Sequence, residues 1–480
     1  MDTLVQPIER EHLYLEVADR IETLIEKKSL KVGDKLLSTR ALSKEQGISL
    51  STAFQAYYYL ESKGLIEARP QSGYYVKFSP QHTLDIPACC DPVDEAVPVT
   101  IDEMISSVYS DLRSEKILSF NLGSPHVSLL PSAKLNKSVM HVLRGSKDSC
   151  LNYEHVQGNE ILRKQIARLS FNWGGALSDD DIVVTSGCME ALSLCLRAVT
   201  QPGDSVAAES PAFHGILQAM QSLGLKVVEI PSDASTGIHL HELEQAINKF
   251  NIKACLFVPN FNNPTGSLMS DEKKKEMVEM LARYHVPLIE DDIYGEMYFG
   301  KVRPKTCKSF DKKGLVLHCC SFSKTLAPGY RIGWAVPGRF KDKVISLKRM
   351  SNISTNTLSQ NAIAHFLQNG RYELHLRHLR KALHTNCLRY IQTISEFFPD
   401  ETKLSRPQGG FALWLEVNKK IDTYKLHKKA LKQNIGIAPG QIFSTHGHKF
   451  HNHFRISFGL PWGSKVEEGL NNLGELVRKF

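Results

Sequence analysis

The sequence predicts an α/β fold with a mostly parallel sheet, preceded by a small helical unit that ends in a hairpin. Three observations carry this. From about residue 118 onward, short apolar runs alternate with helical stretches, as in strands buried on both faces between crossover helices. Before residue 80, helix, helix, turn, helix and hairpin follow one another. Between them, residues 80–117 carry Pro80, Pro87, Pro92 and Pro98 among acidic and small residues, without a long apolar period. That is the composition of a partly extended linker, with a short helix expected around 101–113. The expected organisation is a first domain at 10–79, the linker at 80–117, a large domain at 118–355 and a smaller α+β domain at 356–480.

Composition narrows the classes. The chain has 480 residues, 42% apolar and 23% charged, which suits a globular protein with a sizeable core. No run approaches the ~20 apolar residues of a membrane span, and the charged N-terminus lacks the apolar stretch of a secretory signal. A cytosolic location is expected. Ten cysteines include two adjacent pairs, Cys89–Cys90 and Cys319–Cys320, but no C-x-x-C, so they are read as reduced, mostly buried packing residues. The net charge of +8 only weakly favours a nucleic-acid partner. The first 80 residues balance 11 Lys/Arg against 11 Asp/Glu, so any case for DNA binding rests on pattern.

The N-terminal elements come first. Leu13, Val17, Ile21, Leu24 and Ile25 stand at helical spacing within 11–28. Ser38 reads as the N-cap of a short helix over 39–46 that Gly47 stops. Ser49 caps a second helix running to about Ser62, with Gly64 at its end. LIEARP, a QSG turn and YYVKF then form a two-stranded hairpin. A helix that enters the major groove needs a scaffold helix, a tight turn and exposed polar residues at its start. Ser49, Ser51, Thr52 and Gln55 meet that description, while Ala53, Tyr57 and Leu60 face inward. Arg40 opens the preceding helix and Arg69 lies on the hairpin near Gly73. This region, about 70 residues, resembles the GntR family of winged-helix repressors. The resemblance implies double-stranded DNA as partner, with Arg40, Ser49, Ser51, Thr52, Gln55 and Arg69 as candidate contacts. Leu37 stands where a proline is usual, and Leu50 and Phe54 where arginines often contact DNA. Fewer phosphate contacts imply weaker, less salt-dependent binding. A helical interaction module without DNA binding is the alternative.

The body's strands are expected at 181–187, 205–211, 226–230, 253–259, 286–292, 315–324 and 331–338, and in GGFALWLEV and HFRISF of the tail. Lys324 follows one of them at its C-terminal end, where open α/β sheets place ligands. A lone lysine there is usually solvated; its neighbours change the reading. Ser321, Ser323 and Arg331 bracket it with hydroxyls and a guanidinium suited to a phosphate. Gly187 and Cys188 open a helix whose N–H groups attract the same anion, although many βα turns look alike. Asp291 ends an apolar strand, where a carboxylate can keep a pyridine nitrogen protonated. Tyr294, and Asn263 in NFNNPTG, can donate to a phenolic oxygen on such a ring. Phe213 can stack on it or simply fill the core. Read alone, Glu290–Asp291–Asp292 also suits a helix cap or a divalent metal, and Arg455 a surface ion pair.

Together with Tyr153 in NYEHVQGNEILRKQIA, these motifs resemble fold type I pyridoxal-phosphate enzymes of the aspartate aminotransferase superfamily, over about 118–480. The resemblance implies pyridoxal 5′-phosphate as cofactor, held as a Schiff base on Lys324, with Asp291 on the pyridine nitrogen. It implies a homodimer in which Tyr153 reaches the phosphate of the partner subunit. It implies that Arg455 clamps a substrate or effector carboxylate. Cys188 and Met189 replace more polar residues common in that phosphate loop, which weakens the case for side-chain phosphate contacts there. His446, His448, His451 and His453 crowd one loop; an exposed loop is favoured over a metal site. A GntR-like head, a linker and an aminotransferase-like body in this order are similar to the MocR subfamily of bacterial transcription regulators. That implies a regulator sensing an amino compound or B6 vitamer in the bacterial cytosol, nucleoid-associated when bound to DNA. A genuine aminotransferase with an appended DNA-binding domain is the second reading.

Overall fold

The computed structural model describes residues 13–27, 29–31, 33–69, 73–77, 84–91, 95–99, 102–110, 116–146, 148, 150–445 and 447–480. The head consists of α1 (Leu13–Glu26), α2 (Thr39–Gln46), α3 (Leu50–Ser62) and the antiparallel hairpin of β1 (Ile66–Arg69) and β2 (Gly73–Val76). Its local chemistry follows the sequence. Ser38 Oγ accepts from Ala41 N at the start of α2, and Gly47 closes that helix at φ 62°. Ser49 Oγ accepts from Thr52 N at the start of α3. Each such cap satisfies a backbone donor that the first helical turn leaves free. Val17, Ile21, Ile25, Leu42, Ala53, Tyr57 and Leu60 close a single small core, and the Tyr57 hydroxyl donates to Leu37 O at 2.7 Å.

The body is built on an eight-stranded sheet. Its order is Val183–Thr185, Gly333–Val336, Val316–Ser321, Leu288–Asp291, Ile252–Phe257, Ser205–Ser210, Lys226–Asp233, Gly237–Ile238. The strands from Val316–Ser321 through Lys226–Asp233 pair in parallel, and the remaining pairs are antiparallel. Neighbouring residues on one strand enter different cores: Val206 and Ala208 lie in one, Ala207 in another, and Leu256 is split from Cys255 and Phe257 in the same way. Two covered faces explain why these strands read as continuous apolar runs. Three parallel strands end at Ser210, Asp291 and Ser321, and the segments beyond them carry Phe213 and Lys324. The C-terminal part adds a four-stranded sheet in which Ala412–Glu416 pairs antiparallel with His453–Ser457.

Two expectations need correction. The stretch expected as a linker is, in its described parts, a strap bound to the body. Arg406 donates to Leu84 O at 2.8 Å, Leu404 N to Asp85 O at 2.7 Å, and Val97 bridges Val227 at the sheet. Its helix α4 (Asp102–Ser110) buries Ile105 and Val108 in the main core. The apolar residues of this strap are spaced too irregularly to show a period, yet Leu84, Val97, Val99, Ile105 and Val108 are buried, while Ile86 is exposed. The large domain, expected to begin at 118, opens on a strand Leu118–Ser119 that was not among the expected ones and that pairs with Ile435–Gly436 of the C-terminal part.

Candidate functional site

The segments beyond the sheet surround a cavity of about 270 Å³. Cys188, Phe213, Asn263, Asp291, Tyr294, Ser323, Lys324, Arg331 and Arg455 all border it. Residues spread over nearly 270 positions of sequence thus meet at one edge of the sheet, as the strand order requires.

One end gathers groups whose chemistry suits an anion. Gly187, at φ 83°, precedes the helix Cys188–Val199. A Cβ on Gly187 would collide with the Arg331 guanidinium and push it aside, and the positive φ itself favours glycine there. Arg331 donates to Ser323 Oγ and to Ser186 O, both at 3.3 Å. Ser321 does not border the cavity: its buried Oγ accepts from Ser323 N at 3.3 Å, so it positions Ser323 from behind. The Cys188 side chain turns away from this anion end and donates to Asp291 Oδ1 at 3.4 Å.

The other end carries the charged and polar wall. Asp291 Oδ1 also accepts from Ile293 N at 3.1 Å, and burial raises its carboxyl to about 6. Burial, then the Arg455 charge, lowers the Lys324 amine to about 8, with Asp291 opposing. The Lys324 amine donates to Gly123 O and lies 5.8 Å from the Phe411 ring. Asn263 Nδ2 donates to the Tyr294 hydroxyl at 3.2 Å, and its Oδ1 accepts from Arg455 Nη1 at 2.9 Å. Arg455 is almost fully buried, its Nη2 donates to Asn121 O, and its Nε has no partner among the described residues. A buried guanidinium with an idle donor is incompletely satisfied.

The residues present fit pyridoxal 5′-phosphate. The cradle at Gly187, Ser323 and Arg331 suits the phosphate, Asp291 the ring nitrogen, Asn263 and Tyr294 the phenolic oxygen, and Lys324 the aldehyde carbon. Tyr153 is not in this cavity; it is 82% exposed.

Sequence reasoning missed several wall residues. Tyr109 comes from α4, inside the stretch expected as linker, and its hydroxyl lies 2.9 Å from His214 Nε2. His214 directly follows Phe213, an adjacency that could have flagged it. Glu209 was also passed over. Its carboxylate accepts from Val258 N at 3.0 Å and from Asn262 Nδ2, which braces the turn that presents Asn263. Burial raises that carboxyl to about 8.

On the head, Arg40, Ser51 and Gln55 are exposed and Thr52 is half-buried, beside exposed Leu50 and Phe54. The Ser49 hydroxyl is engaged as the cap and with the Ser51 and Thr52 hydroxyls. The side chain of Arg69 is outside those described. In the histidine loop, His446 is likewise outside the described residues, and His448 and His451 are exposed. His453 departs from the expectation of exposure, because it stacks on Trp414 at 5.3 Å. Among the described residues no group of His, Cys, Asp or Glu is placed to hold a metal, and no helix is long and apolar enough to cross a membrane. All ten cysteines are free, and seven of them are buried.

Residues 13–76 match the bacterial regulatory proteins of the gntR family, and residues 115–470 match aminotransferase class I and II. The chain is 37% identical to an uncharacterized HTH-type transcriptional regulator, YjiR of Escherichia coli, over 97% of this chain and 98% of that one. A second E. coli protein of that description, YdcR, is 38% identical over 97% and 99%. Among solved structures, Pyrococcus horikoshii kynurenine aminotransferase aligns at 28% identity and a TM-score of 0.73, covering 78% of this chain and 94% of that one. A gntR-type head joined to a class I and II aminotransferase body, matched end to end by HTH-type regulators, places the chain in the MocR subfamily of GntR-family transcription regulators.

Proposed function

We propose that this protein is a DNA-binding transcription regulator that depends on pyridoxal 5′-phosphate and senses an amino compound or B6 vitamer in its aminotransferase-like body. The observation that carries the reading is the meeting of Lys324, Asp291 and Arg455 at one cavity, on a chain whose head exposes the start of α3. When bound, the cofactor supplies an aldehyde that condenses with amines and a ring that withdraws electrons. Lys324, its amine lowered to about 8, offers a neutral nucleophile at only mildly basic pH. Asp291 holds the ring-nitrogen proton, and Arg331, Ser323 and the N–H groups after Gly187 anchor the phosphate. Arg455 orients the ligand's carboxylate.

Regulation requires the ligand to favour one arrangement of heads over another. We further propose a homodimer in the bacterial cytosol, nucleoid-associated when bound to DNA. Two heads then address two half-sites, with Arg40, Ser49, Ser51, Thr52, Gln55 and Arg69 toward the duplex. The exposure of Tyr153, away from its own chain's cavity, supports its reaching the phosphate in the partner subunit.

The second reading, a working aminotransferase with a DNA-binding head, is favoured by the same cavity, where Lys324, Asp291, Asn263, Tyr294, Arg331 and Arg455 meet, because the groups that let a sensor condense with an amino compound are also those transamination needs. An absorption titration with amino acids, amines and B6 vitamers, paired with an assay for keto acid, separates the two. A visible band that shifts with a ligand, without keto-acid release, supports the sensor. Stoichiometric keto acid, with the band restored by a second keto acid, makes the enzyme primary. A protein that never takes up the cofactor sinks both.

A further inference from the structure

We infer that Glu209, which does not itself border the cavity, is the positioning residue for Asn263, and that through Asn263 it sets the hydrogen bonding at the cofactor's phenolic oxygen. The inference rests on the reading of this cavity as the pyridoxal 5′-phosphate site.

The Asn263 amide stands between two groups of the wall. Its Nδ2 donates to the Tyr294 hydroxyl at 3.2 Å, and its Oδ1 accepts from Arg455 Nη1 at 2.9 Å. What holds Asn263 there lies behind the wall. The turn over 262–267 closes on itself, with Asn262 N donating to Ser267 O at 3.0 Å and Gly266 N to Asn262 O at 2.6 Å. Asn262 Nδ2 ties that turn to Glu209, near the end of the strand Ser205–Ser210. The same carboxyl accepts from Val258 N at 3.0 Å, just past the neighbouring parallel strand Ile252–Phe257. One side chain thus joins two strand ends to the turn beyond them. Glu209, Asn262 and Asn263 are all buried, where an unmet donor is costly.

The direction of these bonds is fixed by the backbone. Thr265 N donates to Asn262 Oδ1 at 3.3 Å, so the amide must turn its Nδ2 toward Glu209. Val258 N is a backbone donor as well. Two donors therefore converge on position 209, and a carboxyl in either protonation state offers an oxygen to each. An amide of the same shape sets an N–H against one of them. Burial raises the Glu209 carboxyl to about 8, and the Asp291 charge adds to the rise. A direct electrostatic route to Asp291 thus exists beside the route through Asn263, and the two are separable.

The test uses the full-length protein loaded with pyridoxal 5′-phosphate and reads the pH midpoint of its visible band. A phenolic oxygen that loses a donor holds its proton more tightly, so the midpoint rises. Asn263→Ala is expected to raise it by about one pH unit. Glu209→Gln and Asn262→Ala break one bond from its two sides, and each is expected to raise the midpoint by about half a unit. Neither is expected to add more than about 0.2 unit to Asn263→Ala, because both act through that residue. Glu209→Gln combined with Asn262→Asp restores the bond with donor and acceptor exchanged, and is expected to bring the midpoint back to within about 0.2 unit of wild type. An unmoved midpoint in Glu209→Gln overturns the inference; if that variant does not fold, an unmoved midpoint in Asn262→Ala does so. An equal shift with and without the Asn263 side chain also overturns it, and assigns the effect to the charge near Asp291. A wild-type protein that takes up no cofactor removes the cavity reading, and this inference with it.

Discussion

At the scale of single residues, the cavity shows how burial prepares ionisable groups. Lys324 is lowered to about 8 by burial and by Arg455. Its neutral fraction therefore grows about tenfold per pH unit below that value and levels off above it. The rate of cofactor uptake by the apoprotein, read as growth of visible absorbance, is expected to follow that curve. Lys324→Ala should show no visible band at any pH while keeping its far-ultraviolet circular dichroism. A band in that variant would remove Lys324 from its assigned role. Glu209 makes a second case. Its carboxyl titrates near 8 in the folded chain and near its ordinary value of ~4.3 when unfolded. Between those values the folded state holds more protons, so stability falls as pH rises and is flat above about 8. Glu209→Gln lacks this decline. Whatever its pH-independent offset, its stability relative to wild type should improve from pH 5 to pH 8 by a few kcal/mol, at most ~1.36 per pH unit. Parallel urea curves for the two proteins at both pH values check it, and a constant difference would refute it. Most of the cavity was legible because its residues stand beside recognisable strand ends and turns, such as Lys324 after HCCSFS and Asn263 before Pro264. Tyr109 and Glu209 were not. A tyrosine in a nine-residue helix of a proline-bearing stretch says nothing of which wall it will join, and a carboxylate inside an apolar strand reads the same whether it is buried or at an edge.

At the scale of elements, α3 is the most informative. Its inward side, Ala53, Ala56, Tyr57 and Leu60, is buried, so its outward side is fixed by the 3.6-residue period. That side presents Leu50 and Phe54, 51% and 55% exposed, with Ser51 and Gln55. Apolar groups at the start of a recognition helix can contact thymine methyls, whereas a cation contacts phosphate. Phe54→Ala is therefore expected to weaken operator binding by roughly 1–3 kcal/mol without changing the slope of log Kd against log salt. Arg40→Ala, if its guanidinium meets phosphate, is expected to lower that slope by about 1 and weaken all sequences alike. Fluorescence anisotropy on operator and scrambled duplexes at several salt concentrations measures both. The major strands were legible for the reason given by their burial: two covered faces leave a continuous apolar run. The pairing of Leu118–Ser119 with Ile435–Gly436 was not, because two-residue strands carry no period.

At the scale of the whole molecule, the proposed sensing would be felt at a distance through the strap between head and body. A free linker would let the heads sample many separations whatever the cavity held. The described strap instead runs along the body, joined at Leu84, Asp85 and Val97, and its helix α4 lines the cavity through Tyr109. The Tyr424 hydroxyl, from the C-terminal part, donates to Ser107 on the same helix at 3.1 Å. The described part of the strap is thus tied by hydrogen bonds to the body and, through α4, to the cavity wall. Coupling between two ligands is a free energy, and it is reciprocal. Releasing the strap should thus reduce the effect of amino compound on DNA binding and of DNA on amino-compound binding by the same factor. Val97→Pro is suited to this. It removes the N–H that donates to Val227 O at 3.1 Å, at the sheet and away from the cavity lining. The visible-band titration should shift by no more than about threefold, while the ratio of operator Kd with and without ligand moves toward 1. If that ratio is unchanged in a variant whose strap has become protease-sensitive, the strap does not carry the signal.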